Sequence, residues 1–193
     1  MNKNEFAGFN KDEYVPIMKD ESMALLSKLC AENKPKRILE IGTYIGFSAS
    51  VMLSACGGVL ITLEKNADNA KLAQENLASF GDRANVILTD AYDYIVRQDI
   101  GKFDLIFLDG PKGQYINYLP YLKNLLNDGG LLIADNVYFH GLVKQEGVIK
   151  HKLRTIVVNL RKFLKEITTD LDFDTTIYDI GDGFSVSRKR VIA

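Results

Sequence analysis

The sequence predicts an α/β fold built on a mostly parallel sheet, with helices on both faces. Three observations carry this. Short apolar runs recur at Arg37–Ile41, Val59–Leu63, Asn85–Leu88, Phe103–Leu108 and Gly130–Ala134. Runs of four to six such residues, bounded by Gly, Asp or Asn, are the pattern of strands buried on both faces. Between them apolar residues fall at helical spacings, as in Leu72, Leu77 and Phe80, or Leu119, Leu122, Leu125 and Leu126. Strand and helix alternating in this way imply βαβ units with right-handed crossovers.

The elements follow in order. Residues 17–33 read as a preceding helix, with Pro16 near its start. The five strands come next. A long helix over about 148–167 then places Leu153, Ile156, Val157, Leu160, Leu164 and Ile167 on one face. Phe173–Tyr178 and Phe184–Ser187 flank Ile180-Gly181-Asp182-Gly183, a turn signal that closes the sheet with a hairpin. Seven strands are expected, the last antiparallel.

The 193 residues are expected to form a single domain over 1–193, with 1–35 as an N-terminal helical segment. The composition, 47% apolar and 25% charged, excludes a disordered tail, a collagen-like fibre and a disulfide scaffold. No apolar run approaches the roughly 18 residues of a membrane span, and the start, MNKNEFAGFNKDE, lacks the apolar core of a secretory signal. Cys30 and Cys56, with no C-x-x-C, read as reduced thiols of a cytoplasmic protein. Net charge is −1, but His140–Lys165 holds seven Lys/Arg against Glu146 alone, a segment of +6 that leaves −7 elsewhere. Such asymmetry bears on partners rather than on fold.

Chemistry concentrates at the strand ends. The first strand runs into Glu40-Ile41-Gly42-Thr43-Tyr44-Ile45-Gly46-Phe47-Ser48. Glycines at such a turn admit close backbone approach and present amides at a helix start. Tyr44 stands where the dinucleotide fingerprint needs its second glycine, and Glu40 repels a phosphate, which disfavours a nicotinamide-dependent oxidoreductase. Glu64 closes the second strand, where a carboxylate can take both hydroxyls of a ribose. Asp90 follows the third, where it can accept from the exocyclic amine of adenine. Singly, each acid is explained as a helix cap. Three acids at the carboxyl ends of successive strands mark the edge where open α/β sheets bind ligands.

The E-x-G-x-x-x-G-x-S pattern from Glu40 to Ser48 resembles the S-adenosylmethionine-dependent methyltransferases, in particular the cation-dependent O-methyltransferase branch of catechol and caffeoyl-CoA enzymes. The resemblance runs from about Val15 to the final strand and implies the Rossmann-like class I methyltransferase fold. It assigns S-adenosylmethionine contacts to Glu40, Gly42, Thr43, Tyr44, Gly46, Ser48, Glu64, Asp90, Ala91 and Asp109.

The fourth strand ends in Asp109-Gly110-Pro111-Lys112-Gly113-Gln114-Tyr115 and the fifth in Asp135-Asn136. Two carboxylates and an amide oxygen form a hard oxygen set suited to Mg²⁺ or Mn²⁺. Either motif alone reads as a turn or a cap; together they match the family's D-x-x-K-x-x-Y and D-N motifs, with Asp109, Asp135 and Asn136 as the metal ligands. The resemblance makes Lys112 the general base, with Asp109 beside it. A lysine serves that role when a neighbouring cation and partial burial depress its pKa.

Such a cation favours an acceptor with two adjacent oxygens. Catechols qualify, and so does 5-hydroxyuridine in the tRNA anticodon, methylated to 5-methoxyuridine. Lys150, Arg154, Arg161 and Lys165, spaced 4, 7 and 4, make one basic stripe on the last long helix, fit for phosphates. The Lys152–Phe163 segment and the compact length resemble bacterial tRNA 5-hydroxyuridine methyltransferases, and a homodimer would join two basic faces. The sequence therefore reads as a tRNA O-methyltransferase, with a small catechol-like acceptor as the alternative. A non-catalytic nucleoside-binding module is disfavoured by the intact Asp109, Lys112, Asp135 and Asn136.

Overall fold

The computed structural model describes residues 6–8, 18–97 and 99–191. Pro16 and Ile17, read above as the start of the first helix, lie outside the described residues. The elements are α1 (Asp20–Asn33), β1 (Arg37–Ile41), α2 (Phe47–Ala55), β2 (Val59–Glu64), α3 (Ala67–Leu77), β3 (Ala84–Leu88), α4 (Ala91–Ile95), β4 (Phe103–Leu108), α5 (Tyr115–Leu125), β5 (Leu126–Asp135), α6 (His151–Thr169), β6 (Phe173–Tyr178) and β7 (Phe184–Lys189). Among the described residues, no helix is long and apolar enough to cross a membrane.

The seven strands lie in the order β3-β2-β1-β4-β5-β7-β6. Pairings are parallel from β3 through β5, and β7 runs antiparallel to both its neighbours. The chain leaves β1 in one direction to build β2 and β3, then crosses back to place β4 on the other side of β1. The carboxyl ends of β1 and β4 therefore flank the switch point at which such sheets open a crevice.

Each face of the sheet is closed by its own apolar layer. Leu26 and Cys30 of α1 and Met52 and Leu53 of α2 pack on Ile38, Leu105 and Ile133. Tyr115, Leu119 and Leu122 of α5 and Leu160 and Phe163 of α6 pack on Leu39, Ile106 and Leu132. Burying each large side chain stabilises by about 1.5–3 kcal/mol. Cys30 belongs to this core, and burial pushes its thiol up to about 12, which leaves it inert.

Several boundaries and one burial pattern depart from the sequence reading: α1 begins at Asp20 rather than 17, and β7 runs on to Lys189 rather than ending at Ser187. Strand β5 begins at Leu126 rather than Gly130, because Leu126 pairs with Phe103 ahead of a register shift between Phe103 and Leu105. The last helix starts at His151 rather than near 148. The third strand is not buried on both faces: it lies at the sheet edge, and Leu88 is 55% exposed.

Candidate active site

At the switch point the turns after β1 and β4 touch. A Cβ on Gly42 would lie 2.7 Å from the Gly110 backbone, and Gly42 has φ +97°. Only glycine meets both demands. Tyr44, two residues on, itself adopts φ 49°, the backbone region a second glycine would have eased. Its amide donates to Glu64 Oε2 at 2.9 Å, and the Asn66 amide donates to Glu64 Oε1 at 2.9 Å. Glu64 is thus fixed by both flanking turns. Each carboxylate oxygen retains a second lone pair for a ligand hydroxyl.

A cavity of about 690 Å³ opens over this edge, well within the range of small-molecule sites. Of the residues expected at a cofactor, it is lined by Gly42, Thr43, Tyr44, Ser48, Glu64, Asp90, Ala91 and Asp109. Asp90 also caps α4, its Oδ1 accepting from the Tyr92 amide at 2.9 Å, so the capping and ligand readings coexist. Gly46 does not line the cavity; with φ 86° it supplies the N-cap of α2.

Glu40 stands behind the wall, fully buried, its two oxygens accepting from Ser48 Oγ and Thr62 Oγ1. Burial raises its carboxyl to about 8 against those two hydrogen bonds, and the charges of Asp109 and Glu64 push the same way as burial. The structure places Glu40 as a buried support of Ser48 rather than as part of the cavity lining.

The other end of the cavity carries Asp109, Lys112 and Asn136. Lys112 Nζ lies 2.6 Å from Asp109 Oδ1. Burial works to lower the Lys112 pKa, but the charges of Tyr115 and Asp109 and the Asp109 hydrogen bond hold it above its ordinary value. Lys112 Nζ here donates a hydrogen bond to Asp109 Oδ1, and the depression expected from sequence depends on a cation beside it. Asp135, almost fully buried, accepts the Asn136 amide at Oδ1 (2.8 Å), and its Oδ2 is buried with no hydrogen-bond partner. Burial, then the nearby Asp109 charge, pushes Asp135 up to about 7. An orphaned buried acceptor beside a second carboxylate fits a cation. The set is two carboxylates and an amide. Among the described residues, no group of three or more His, Cys, Asp and Glu side chains converges to hold a metal ion.

Sequence reasoning missed Tyr118, Phe139, His140 and Asp182, which also line the cavity. Asp182 lies in the Ile180–Gly183 turn, whose only sequence signal was a reversal. Because β7 pairs with β5 at Asp135–Phe184, that turn is brought to the site. The basic residues Lys150, Arg154, Arg161 and Lys165 are exposed and line no part of the cavity. Helix α6 nevertheless packs beside the Lys112–Gln114 turn, with Asn159 Nδ2 donating to Gly113 O at 2.8 Å. Arg161 is turned onto backbone carbonyls of the preceding loop.

Strand order, the reversed seventh strand and an acid-lined crevice at the switch point define the Rossmann-like methyltransferase class. The chain belongs to the O-methyltransferase family, whose profile matches residues 7–190. A catechol O-methyltransferase of Niastella koreensis is 33% identical over 162 residues, covering 80% of this chain and 70% of that protein. A caffeoyl-CoA O-methyltransferase of Populus kitakamiensis is 28% identical over 185 residues, covering 91% and 77%. The crystal structure of S-adenosylhomocysteine-bound methyltransferase PaMTH1 from Podospora anserina superposes with a TM-score of 0.78 at 26% identity, covering 91% of this chain and 80% of that one.

Proposed function

We propose that this chain methylates one oxygen of a small catechol-like acceptor, using S-adenosylmethionine and a divalent cation held by Asp109, Asp135 and Asn136. The observation that carries the reading is the buried, partnerless Asp135 Oδ2, which stands behind a cavity lined by its neighbour Asn136 with Asp109 and Lys112. The relatives named as catechol and caffeoyl-CoA enzymes support the acceptor class. When bound, the sulfonium supplies the methyl group, and Mg²⁺ or Mn²⁺ lowers the pKa of a hydroxyl beside it.

The chain's own residues do the rest. Glu64 and Asp90 orient the nucleoside end of the cofactor, and the Gly42–Ser48 turn accepts its amino-acid end. Lys112 Nζ would take the acceptor proton once a bound cation and its burial push its pKa down. Methyl transfer joins a cationic donor to an anionic oxygen, so fixing the two in line and excluding water supplies most of the advantage. Phe139 and Tyr118 give the cavity apolar walls for this.

A second reading, 5-hydroxyuridine in tRNA, has its own support: exposed Lys150, Lys152 and Arg154 at the N-terminal end of α6, the helix whose Asn159 reaches the Lys112–Gln114 turn. Exposed cations there offer contacts to phosphates. Incubating the protein with S-adenosylmethionine, Mg²⁺ and either catechol or hydroxyuridine-containing tRNA decides between them. Methylated catechol with unmodified tRNA is the expected result. Methoxyuridine in tRNA with catechol untouched would transfer the assignment to the nucleic acid, and nucleoside analysis of tRNA from cells lacking the protein would show the same.

A further inference from the structure

The loop between β5 and α6 forms the wall of the cavity next to Asn136, and it is held from two sides. Three of its non-glycine residues, Asn136, Phe139 and His140, have φ of 55°, 47° and 57°. Asn and His tolerate that region better than most side chains, but Phe does not, so the surrounding structure must hold Phe139 there. On one side the Asp182 carboxylate accepts from the His140 amide at 2.5 Å and the Gly141 amide at 3.2 Å. On the other, Arg161 Nε donates to Val143 O at 3.0 Å, and Nη2 donates to Leu142 O at 3.3 Å and Gln145 O at 2.5 Å. Carboxylate to amides and guanidinium to carbonyls are both charge-assisted bonds, about twice as strong as neutral ones.

We propose that Arg161 is a positioning residue: with Asp182 it clamps the 138–145 loop so that Phe139 and His140 form a fixed wall over the acceptor. The bonds come from the third turn of α6, a helix packed on the Lys112 turn through Asn159. Arg161 thus ties the acceptor wall to the same helix that backs Lys112. Of the basic stripe, it is the member whose guanidinium is already engaged by the protein itself. The inference rests on the proposed methyl-transfer reading only for what the wall faces.

The test compares Arg161→Ala and Arg161→Lys with the unaltered protein, using Lys162→Ala, an exposed neighbour on α6, as control. Three quantities are measured: steady-state kinetics with catechol, the S-adenosylmethionine dissociation constant, and hydrogen exchange of the 138–145 amides. For Arg161→Ala we expect acceptor KM to rise about tenfold or more, since small misplacements in a site are costly. Exchange of the loop amides should quicken about tenfold while sheet amides keep their rates. Cofactor affinity should stay within about twofold, and millimolar guanidinium should restore part of the KM. Arg161→Lys, which keeps the charge but not the fork, should fall between, and it carries the comparison if the alanine variant fails to fold. Unchanged loop exchange and unchanged acceptor KM would overturn the proposal. So would a defect seen only in tRNA binding, with loop exchange and catechol kinetics intact, because Arg161 would then be a phosphate contact. If no acceptor of either kind is methylated, the functional reading fails, and loop exchange alone decides the clamp.

Discussion

Lys112 Nζ and Asp109 Oδ1 meet at 2.6 Å where β4 ends, and this ion pair links the two roles the strand end must play. Asp109 is shared between a lysine that needs a proton acceptor and a carboxylate cluster that fits a cation. The spacing of three residues across the Asp109–Lys112 turn puts both groups in one cavity, with Tyr115 buried beneath them and donating to Leu108 O at 3.0 Å. Replacing Lys112 by Ala should lower kcat about 10²–10⁴-fold, the range of a lost proton-transfer group. Cofactor affinity should hardly change, because in the proposed reaction Lys112 serves the acceptor. Steady-state kinetics with a titrated cofactor signal checks this, and a variant with unaltered kcat would remove Lys112 from the chemistry.

The orphaned Asp135 Oδ2 leads to a chelation experiment. EDTA should abolish methyl transfer, and Mg²⁺ or Mn²⁺ should restore it. Asp135→Asn should bind Mg²⁺ at least about tenfold more weakly by calorimetry, since an amide replaces a charged ligand. It should still bind S-adenosylmethionine. Full activity in chelator would take the cation out of the mechanism.

Much of this site was legible in the sequence because parallel strands write themselves as apolar runs and stop at their functional residues. The termini of β1 and β4 match the runs Arg37–Ile41 and Phe103–Leu108 residue for residue. Glu64, Asp90, Asp109 and Asn136 follow directly from knowing where strands end. What stayed hidden depends on pairing between distant segments. Asp182 reaches the site only because β7 turns back beside β5, and a turn of five residues gives no sign of the loop it faces. The basic stripe shows the opposite failure. Spacing put Arg161 with Lys150 and Arg154 on one helix face, but spacing says nothing about carbonyls of a loop that folds over that face. Glu40 was readable as a strand-end acid, not as one turned away from the cavity, because alternation of side chains along β1 sends it behind the wall.

Glu64 supplies the cofactor prediction. Its carboxylate holds the amides of Tyr44 and Asn66 while lining the cavity, so it shapes the pocket and, in the proposed reading, takes the ribose hydroxyls. Glu64→Ala should weaken S-adenosylmethionine binding by about 1.5–3 kcal/mol, roughly ten- to a hundredfold. Glu64→Gln, which keeps an acceptor for one amide, should lose less. An equal dissociation constant in a folded alanine variant would reassign the ribose contact.

Glu40 gives a pH-dependent prediction with a definite sign. The folded protein holds this carboxyl at about 8, against 4.5 for an unperturbed glutamate, chiefly because it is buried. Below 4.5 both the folded and unfolded chains carry the proton, and the group is neutral to stability. Between 4.5 and 8 the unfolded chain releases a proton that the folded one keeps. Stability therefore falls as pH rises, by about 1.4 kcal/mol per unit from this group, and levels off above 8. Glutamine matches the neutral carboxylic acid in shape and offers a donor where the acid has its hydroxyl. Ser48 and Thr62 can turn their own hydroxyls to suit it. Glu40→Gln should be close to the unaltered protein in stability near pH 5 and clearly more stable near pH 8. Urea unfolding at pH 5, 6, 7 and 8, compared pairwise, isolates the group because the other titrating residues are common to both proteins. A difference that stays constant across the four values would mean that Glu40 is ionised in the folded state throughout, and that Ser48 and Thr62 suffice to hold a buried charge.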